Sequence, residues 1–348
     1  MVTMSDVARR AGVSSATVSR VLNRSATVDA KTQALVGKAI AELRYRPNAV
    51  ARGLASRSSR AIGVVINRFD SIYYGALLHG AEEALAAEGF KMLAESARER
   101  AEGERQAWES LRERQCDAVI VHSDKLDDAE LAQRMEDHPR SVLMNRHVAS
   151  HGERCVYLDN EVGGALAARY LHEAGHRRLA MITGPSSFYE ARDRSRGFLG
   201  ELARRGIDAD QVATVEADFQ IEGGRTAMLA LLDGAAPGAV FAQNDEMAAG
   251  ALEACRERGV QVPEDVSVLG FDDVAIARHL VPKLTTIRQP LAEIGAAAGR
   301  LALTLATGTE PAEPIVQVFG AEVVERASVA DLTRPASSSG RSNGRIST

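Results

Sequence analysis

From residue 61 onward, short apolar runs alternate with amphipathic stretches of helical length, and this alternation constrains the fold more than any other feature. The runs fall at residues 62–66, 91–94, 118–122, 142–145, 179–183, 239–242 and 266–271, and helical patterns separate nearly all of them. A βαβα order implies parallel sheets with helices on both faces. About 270 residues is large for one such sheet, so a split near residues 158–161 into two Rossmann-like subdomains with a cleft between them is predicted. Ligands of such folds lie at the carboxyl ends of the strands.

The first 60 residues differ in charge. They hold eleven Lys/Arg against three acidic residues, a charge of +8, so the rest must carry −13 of the total of −5. A small basic module joined to a large acidic one suggests that the small part meets a polyanion. With 348 residues, 45% of them hydrophobic and 26% charged, the chain can bury cores for two or three domains. That excludes disorder throughout, collagen and a small disulfide scaffold. No apolar run of about 18 residues and no signal-like leader is visible, so a soluble, cytoplasmic protein without membrane contact is expected. Cys116, Cys155 and Cys255 lie far apart in apolar stretches and read as buried thiols, not as a disulfide framework or a CxxC metal site.

Within the basic module, Thr3-Met4-Ser5-Asp6 reads as a helix start, with Met4, Val7, Ala8 and Ala11 on one face and Gly12 as the stop. Ser14 caps a second helix that turns Val18, Val21 and Leu22 inward and leaves Ser15, Ala16, Thr17, Ser19 and Arg20 pointing out. A third helix at about 30–43, with Leu35, Val36, Ala39, Ile40 and Leu43, closes a small core. Two helices joined by a glycine-containing turn have the form of a helix-turn-helix, whose second helix reads DNA; a generic three-helix surface domain is the alternative. Arg46-Pro47-Asn48 ends the third helix, and residues 49–57 form a short segment that orders only against a partner.

The larger module contains no GxxxxGK[ST] and no GxGxxG opening a helix. Thr183-Gly184-Pro185-Ser186-Ser187 reads as a strand-end turn, and His147 with His151 lacks a third metal ligand nearby, so neither a metal nor a cofactor is expected. Asp272-Asp273 is the one carboxylate pair at a strand end. It fits an acid/base pair, a helix cap or a ligand-capture site.

Asp6-Val7-Ala8, Ala11-Gly12-Val13-Ser14, Thr17-Val18-Ser19-Arg20-Val21-Leu22-Asn23, Tyr45-Arg46-Pro47-Asn48 and Val50-Ala51-Arg52-Gly53-Leu54 resemble the headpiece and hinge of the LacI/GalR family of bacterial transcription regulators, and the resemblance extends to about residue 330. It implies a DNA-binding regulator, not an enzyme: a homodimer on a pseudo-palindromic operator. Ser15, Ala16 and Arg20 match the family's base-reading positions, and Leu54 matches a leucine wedged into the minor groove. Thr3, Ser14, Thr17, Ser19, Asn23, Asn48, Arg52 and Ala55 complete the expected DNA-binding set.

Asp193-Arg194-Ser195-Arg196-Gly197-Phe198, Gln243-Asn244-Asp245-Glu246 and Leu269-Gly270-Phe271-Asp272-Asp273 are similar to the family's effector-site segments, which resemble periplasmic sugar-binding proteins. On that match Arg194, Asn244 and Asp272 hydrogen-bond ligand hydroxyls, and Tyr73, Tyr74 and Phe219 place aromatic faces on the ligand. Asn145 and Gln289 lie near the cleft. Glu190 stands where relatives often carry Ser or Thr, and Phe188 where the purine-responsive member has a basic residue, which counts against a purine. Glu104-Arg105-Gln106-Ala107 and Leu143-Met144-Asn145-Arg146 look most like the galactose-responsive members. The expectation is a repressor of carbohydrate-utilisation genes released by galactose or a galactoside-like sugar; activation, corepression and a sugar-modifying enzyme are the alternatives. The expected division is a headpiece at 1–47, a hinge at 48–60, subdomain 1 at about 61–160 with 289–319, subdomain 2 at about 161–288 with 320–330, and a disordered tail at 331–348. That tail lacks leucine heptads, so a dimer is expected.

Overall fold

The computed structural model describes residues 2–22, 28–45 and 58–333. It divides into two compact units, residues 1–60 and residues 61–348. In the first unit, helix α1 (Met4–Ala11) opens with a reciprocal cap. The Thr3 side chain accepts from the Asp6 backbone N–H at 3.3 Å, and the Asp6 carboxylate accepts from the Thr3 N–H at 2.9 Å. Gly12 stops the helix at φ 68°, a left-handed conformation that costs glycine little. Helix α2 (Ser15–Leu22) follows with Ser14 Oγ accepting from Thr17 N–H at 3.1 Å, and α3 (Ala30–Glu42) is capped by Asp29.

Val7, Ala8, Val18, Val36 and Ala39 form the buried core of this unit. Leu35, assigned to that core from the sequence, is instead 47% exposed. The inward stripe runs through 36, 39, 40 and 43 by steps of three and four, which leaves position 35 on its flank.

In the second unit, β1 (Ala61–Ile66), α4 (Ile72–Ala87), β2 (Lys91–Ser96), α5 (Ala101–Glu113), β3 (Ala118–Val121), α6 (Asp128–Asp137), β4 (Ser141–Met144) and β5 (Cys155–Leu158) build one lobe. The chain then crosses to a second lobe of α7 (Asn160–Glu173), β6 (Leu179–Thr183), α8 (Tyr189–Arg204), β7 (Ala213–Glu216), α9 (Ile221–Asp233), β8 (Ala239–Ala242), α10 (Asp245–Glu257), β9 (Ser267–Asp272) and β10 (Thr285–Arg288). It returns to the first lobe for α11 (Leu291–Thr307) and β11 (Val318–Phe319), and crosses again for β12 (Glu322–Val324). The sheet orders are β11-β5-β4-β3-β1-β2 and β12-β10-β9-β8-β6-β7. Every pairing is parallel except β12 on β10. The two sheets therefore point the carboxyl ends of their strands into one cleft.

All seven predicted runs are strands, displaced at their ends by at most a few residues. Strands β5, β7, β10, β11 and β12 are additional. Their local signal is weak for physical reasons: β7 is an exposed edge, β10 has Thr at two of its four positions, and β11 and β12 span two and three residues. Cys155 and Cys255 are buried, whereas Cys116, expected to be buried as well, is only half-covered in the turn after α5. Residues 331–333, assigned to the tail, are tied to the second lobe by Leu332 N–H donating to the Ala174 carbonyl at 2.8 Å. The rest of that tail lies outside the described residues. Among the described residues no helix is long and apolar enough to cross a membrane.

One helix contact matters directly for the cleft. A Cβ on Gly164 of α7 would lie 2.2 Å from the Arg194 carbonyl oxygen, and one on Gly197 of α8 would lie 1.9 Å from that of Glu161. The two backbones pack at a distance that only glycine permits, and this fixes Arg194 against Asn160.

Candidate ligand cleft and nucleic-acid interface

On α2, Ser15, Ala16 and Arg20 are exposed, Thr17 and Ser19 are half-buried, and Val18 is fully buried beneath them. The apolar side of the helix is committed to the core, so the short polar side with Arg20 is the face left to contact a partner. Thr3 and Ser14 are engaged as helix caps, Thr3 with Asp6 and Ser14 with Thr17. Arg9 pairs with Asp6 and Arg10 with Glu42. Arg20 has no ion-pair partner among the described residues. Asn23, Asn48, Arg52, Leu54 and Ala55 lie outside the described residues.

In the larger unit a cleft opens between the lobes. Tyr73, Tyr74, Arg68, Glu99 and Asp124 line it from the first lobe, and Phe188, Glu190, Arg194, Asp218, Phe219, Asn244, Glu246 and Asp272 from the second. Seven of the nine residues expected at a ligand site thus share one cavity. Asn145 and Gln289 do not line it; they stand behind it. Asn145 Nδ2 donates to the Tyr73 hydroxyl, and Gln289 Nε2 donates to Asp272 Oδ1 at 2.6 Å.

Arg194 is 3% exposed and clamped on several sides. Its Nε donates to Asn160 Oδ1 at 2.8 Å and its Nη1 to the Gln243 carbonyl at 2.5 Å, while Nη2 lies 3.6 Å from Asp272 Oδ1. The guanidinium also lies 3.9 Å from the Phe271 ring centroid. A planar fork fixed in this way presents its remaining N–H groups in one direction. Burial pushes the Asp272 carboxyl up to about 7, against the pull of Arg194.

Asp273 has a different role from its neighbour. It accepts from Arg288 Nε at 2.8 Å and from Arg326, with Arg278 at 3.7 Å, and it faces away from the cleft. The carboxylate pair seen in sequence is therefore one cleft residue and one structural node, which removes the geometry an acid/base pair requires.

Asn244 caps α10, its Oδ1 accepting from Met247 N–H at 2.8 Å and its Nδ2 donating to the Phe219 carbonyl at 2.9 Å. Phe219 itself adopts φ 64°, and its ring lies so close to Gly184 that a Cβ there would come within 2.0 Å of it. The strand-end turn at 183–187 thus seats an aromatic wall, with Phe188 packed edge-on to Phe219 at 5.5 Å. Opposite, the Tyr73 and Tyr74 rings meet edge-on at 5.0 Å.

The sequence reading named Glu190 but missed the two residues clustered with it at the cleft floor. His122, Asp124 and Glu190 are buried together; His122 Nδ1 is 3.6 Å from Asp124 and Nε2 is 3.6 Å from Glu190. Burial and the charge of Glu104 push Asp124 up to about 7, burial and Asp124 push Glu190 up to about 8, and burial holds His122 below its ordinary value. Polar residues one to three places past a strand end would have located most of these groups: Arg68 after β1, Glu99 after β2, His122 and Asp124 after β3, Asp218 after β7.

Residues 3–48 match the family model described as bacterial regulatory proteins, lacI family, and residues 168–329 match the periplasmic binding protein-like domain. The chain is 43% identical to the HTH-type transcriptional regulator GalS of Salmonella typhimurium over 312 residues, which is 89% of this chain and 91% of the relative. The chain belongs to the LacI/GalR family of bacterial transcription regulators. Among solved structures, this regulator is similar to the Lac repressor dimer bound to operator and the anti-inducer ONPF, with a TM-score of 0.83 and 29% identity over 94% of this chain and 99% of that one. It is also similar to the transcriptional regulator CelR in complex with cellobiose, with a TM-score of 0.68 and 33% identity over 94% of this chain and 100% of that one. The regulator is a sequence-specific DNA-binding protein with a helix-turn-helix module and a two-lobed effector domain, and its family consists of transcriptional regulators, not enzymes.

Proposed function

We propose that this regulator is a homodimeric repressor of carbohydrate-utilisation genes, released from a pseudo-palindromic operator when a small sugar, galactose or a galactoside, binds between the lobes. The observation that carries the reading is the convergence of the immobilised Arg194 fork, the Asp272 carboxylate and facing aromatic rings at the strand carboxyl ends of both lobes. Vicinal hydroxyls each donate and accept, so a fork beside a carboxylate satisfies them while aromatic faces cover the apolar side of the ring.

Support also comes from the relatives: the similar Lac repressor is a dimer on operator DNA, and the similar CelR holds cellobiose. In this reading Ser15, Ala16 and Arg20 contact base edges. Arg20 is suited to guanine, a pairing worth about 1–3 kcal/mol of discrimination. Leu54 in the hinge at 48–60 wedges the minor groove. Sugar binding shifts the lobes and separates the paired hinges.

Calorimetric titration of the full-length protein with galactose, glucose, a β-galactoside and a purine tests the ligand class. Binding of a sugar and not of the purine is expected; binding of the purine alone overturns the reading.

A further inference from the structure

The cleft has more negative groups than its own cations neutralise. Six carboxylates line it, namely Glu99, Asp124, Glu190, Asp218, Glu246 and Asp272, against two arginines. Arg68 is held by Asp70 at 2.9 and 3.0 Å with Glu99 beside it, and Arg194 is held by Asn160, Gln243 and Asp272. Two further cations near the floor are turned elsewhere. Lys125 Nζ donates to Ser187 Oγ at 3.0 Å and sits over the Phe188 ring, and Arg146 pairs with Asp128 and lies over Tyr189.

That leaves Asp124, past β3 in the first lobe, and Glu190, in the first turn of α8 in the second, 3% and 5% exposed and without a Lys or Arg partner among the described residues. Among the described residues no N–H or hydroxyl donor reaches Asp124 Oδ1 or Glu190 Oε2, and the two carboxyls lie close enough to share a proton. With Asp124 pushed up to about 7 and Glu190 up to about 8, the pair avoids two buried charges by holding a proton, and a ligand cation can replace that proton. The hydroxyls of a neutral sugar carry no charge to replace it.

We propose that the effector of this regulator is an amino sugar whose ammonium group bridges Asp124 and Glu190 across the cleft. The inference rests on the sugar reading above and narrows it. An ammonium carries three N–H donors on a positive centre, which suits orphan oxygens contributed by two lobes. His122, Asp124 and Glu190 also offer a metal ion one ligand atom each, and His122 Nδ1 has no hydrogen-bond partner among the described residues, so a metal is the rival that the test below distinguishes. Because the two acids belong to opposite lobes, the same contact ties ligand charge to lobe closure.

The test is calorimetry on chelator-treated full-length protein with galactosamine, glucosamine, their N-acetyl derivatives and the neutral parent hexoses. Binding of one amino sugar about tenfold or more tighter than both its parent and its N-acetyl form is expected. That preference should vanish in Glu190→Gln and in Asp124→Asn, with a melting curve of each variant to verify folding. Equal affinity for amine and parent, or binding of neutral sugars alone, overturns the amine while leaving the sugar reading intact. Failure of every sugar to bind overturns both. A thermal shift with Mn²⁺ or Zn²⁺ that is lost in Asp124→Asn would assign the cluster to a metal and overturn the proposal.

Discussion

Arg194 touches Asn160, the Gln243 carbonyl, Phe271 and Asp272 from a single side chain, a set that only a planar, multi-donor cation can satisfy. Arg194→Lys retains the charge but loses the fork, and sugar affinity measured by calorimetry should fall by about 10- to 100-fold. A second residue-scale consequence concerns pH. The folded-state value of Glu190 is pushed up to about 8 from an ordinary 4.5, so between those values the native protein holds a proton that the unfolded chain releases. Stability should therefore fall as pH rises through that window. Glu190→Gln should melt higher than the parent protein near pH 8, by about 2–4 °C for each kcal/mol recovered, and the difference should shrink toward pH 5. Scanning calorimetry of the ligand-free protein at both pH values checks this. The aromatic and Arg194 positions were legible because they sit in segments with a recognisable pattern. His122 and Asp124 were passed over: their place one and three residues past β3 puts them at the cleft, but nothing local to 118–124 shows that they meet a carboxylate from the other lobe.

At the scale of elements, α7 and α8 meet through Gly164 and Gly197, and this approach sets the distance between Asn160 and Arg194. Gly197→Val would drive methyl groups into the Glu161 carbonyl. A loss of about 3 kcal/mol is expected in urea unfolding, together with weakened sugar binding; an unchanged midpoint would contradict the packing argument. The same scale explains which elements were readable. Central strands buried on both faces announce themselves as apolar runs, as in β1, β3, β6 and β8, and caps such as Thr3 with Asp6 mark helix starts. Edge and crossover strands such as β7, β11 and β12 are defined by their neighbours and leave little trace in their own residues. Leu35 illustrates the same limit in a helix, where one position off the inward stripe separates core from surface.

For the whole molecule, the proposal assigns DNA recognition to one unit and ligand recognition to the other, so the two functions should be separable by mutation. Leu54→Ala should weaken specific operator binding by about tenfold or more, while sugar affinity without DNA changes by less than about twofold. Asp272→Ala should lose release by sugar. Equal damage to both functions by either change would contradict the division. The basic headpiece adds a further expectation, that operator affinity falls steeply as salt rises, in proportion to the phosphates neutralised.

The most direct measurement is operator affinity of the full-length protein, on DNA flanking its own gene and at fixed salt, with and without saturating galactose, β-galactoside or galactosamine. The account predicts specific binding that one of these ligands weakens by about 5- to 150-fold, the usual span of allosteric coupling. Operator affinity that none of them changes, or that rises with ligand, would contradict an inducible repressor controlled from this cleft.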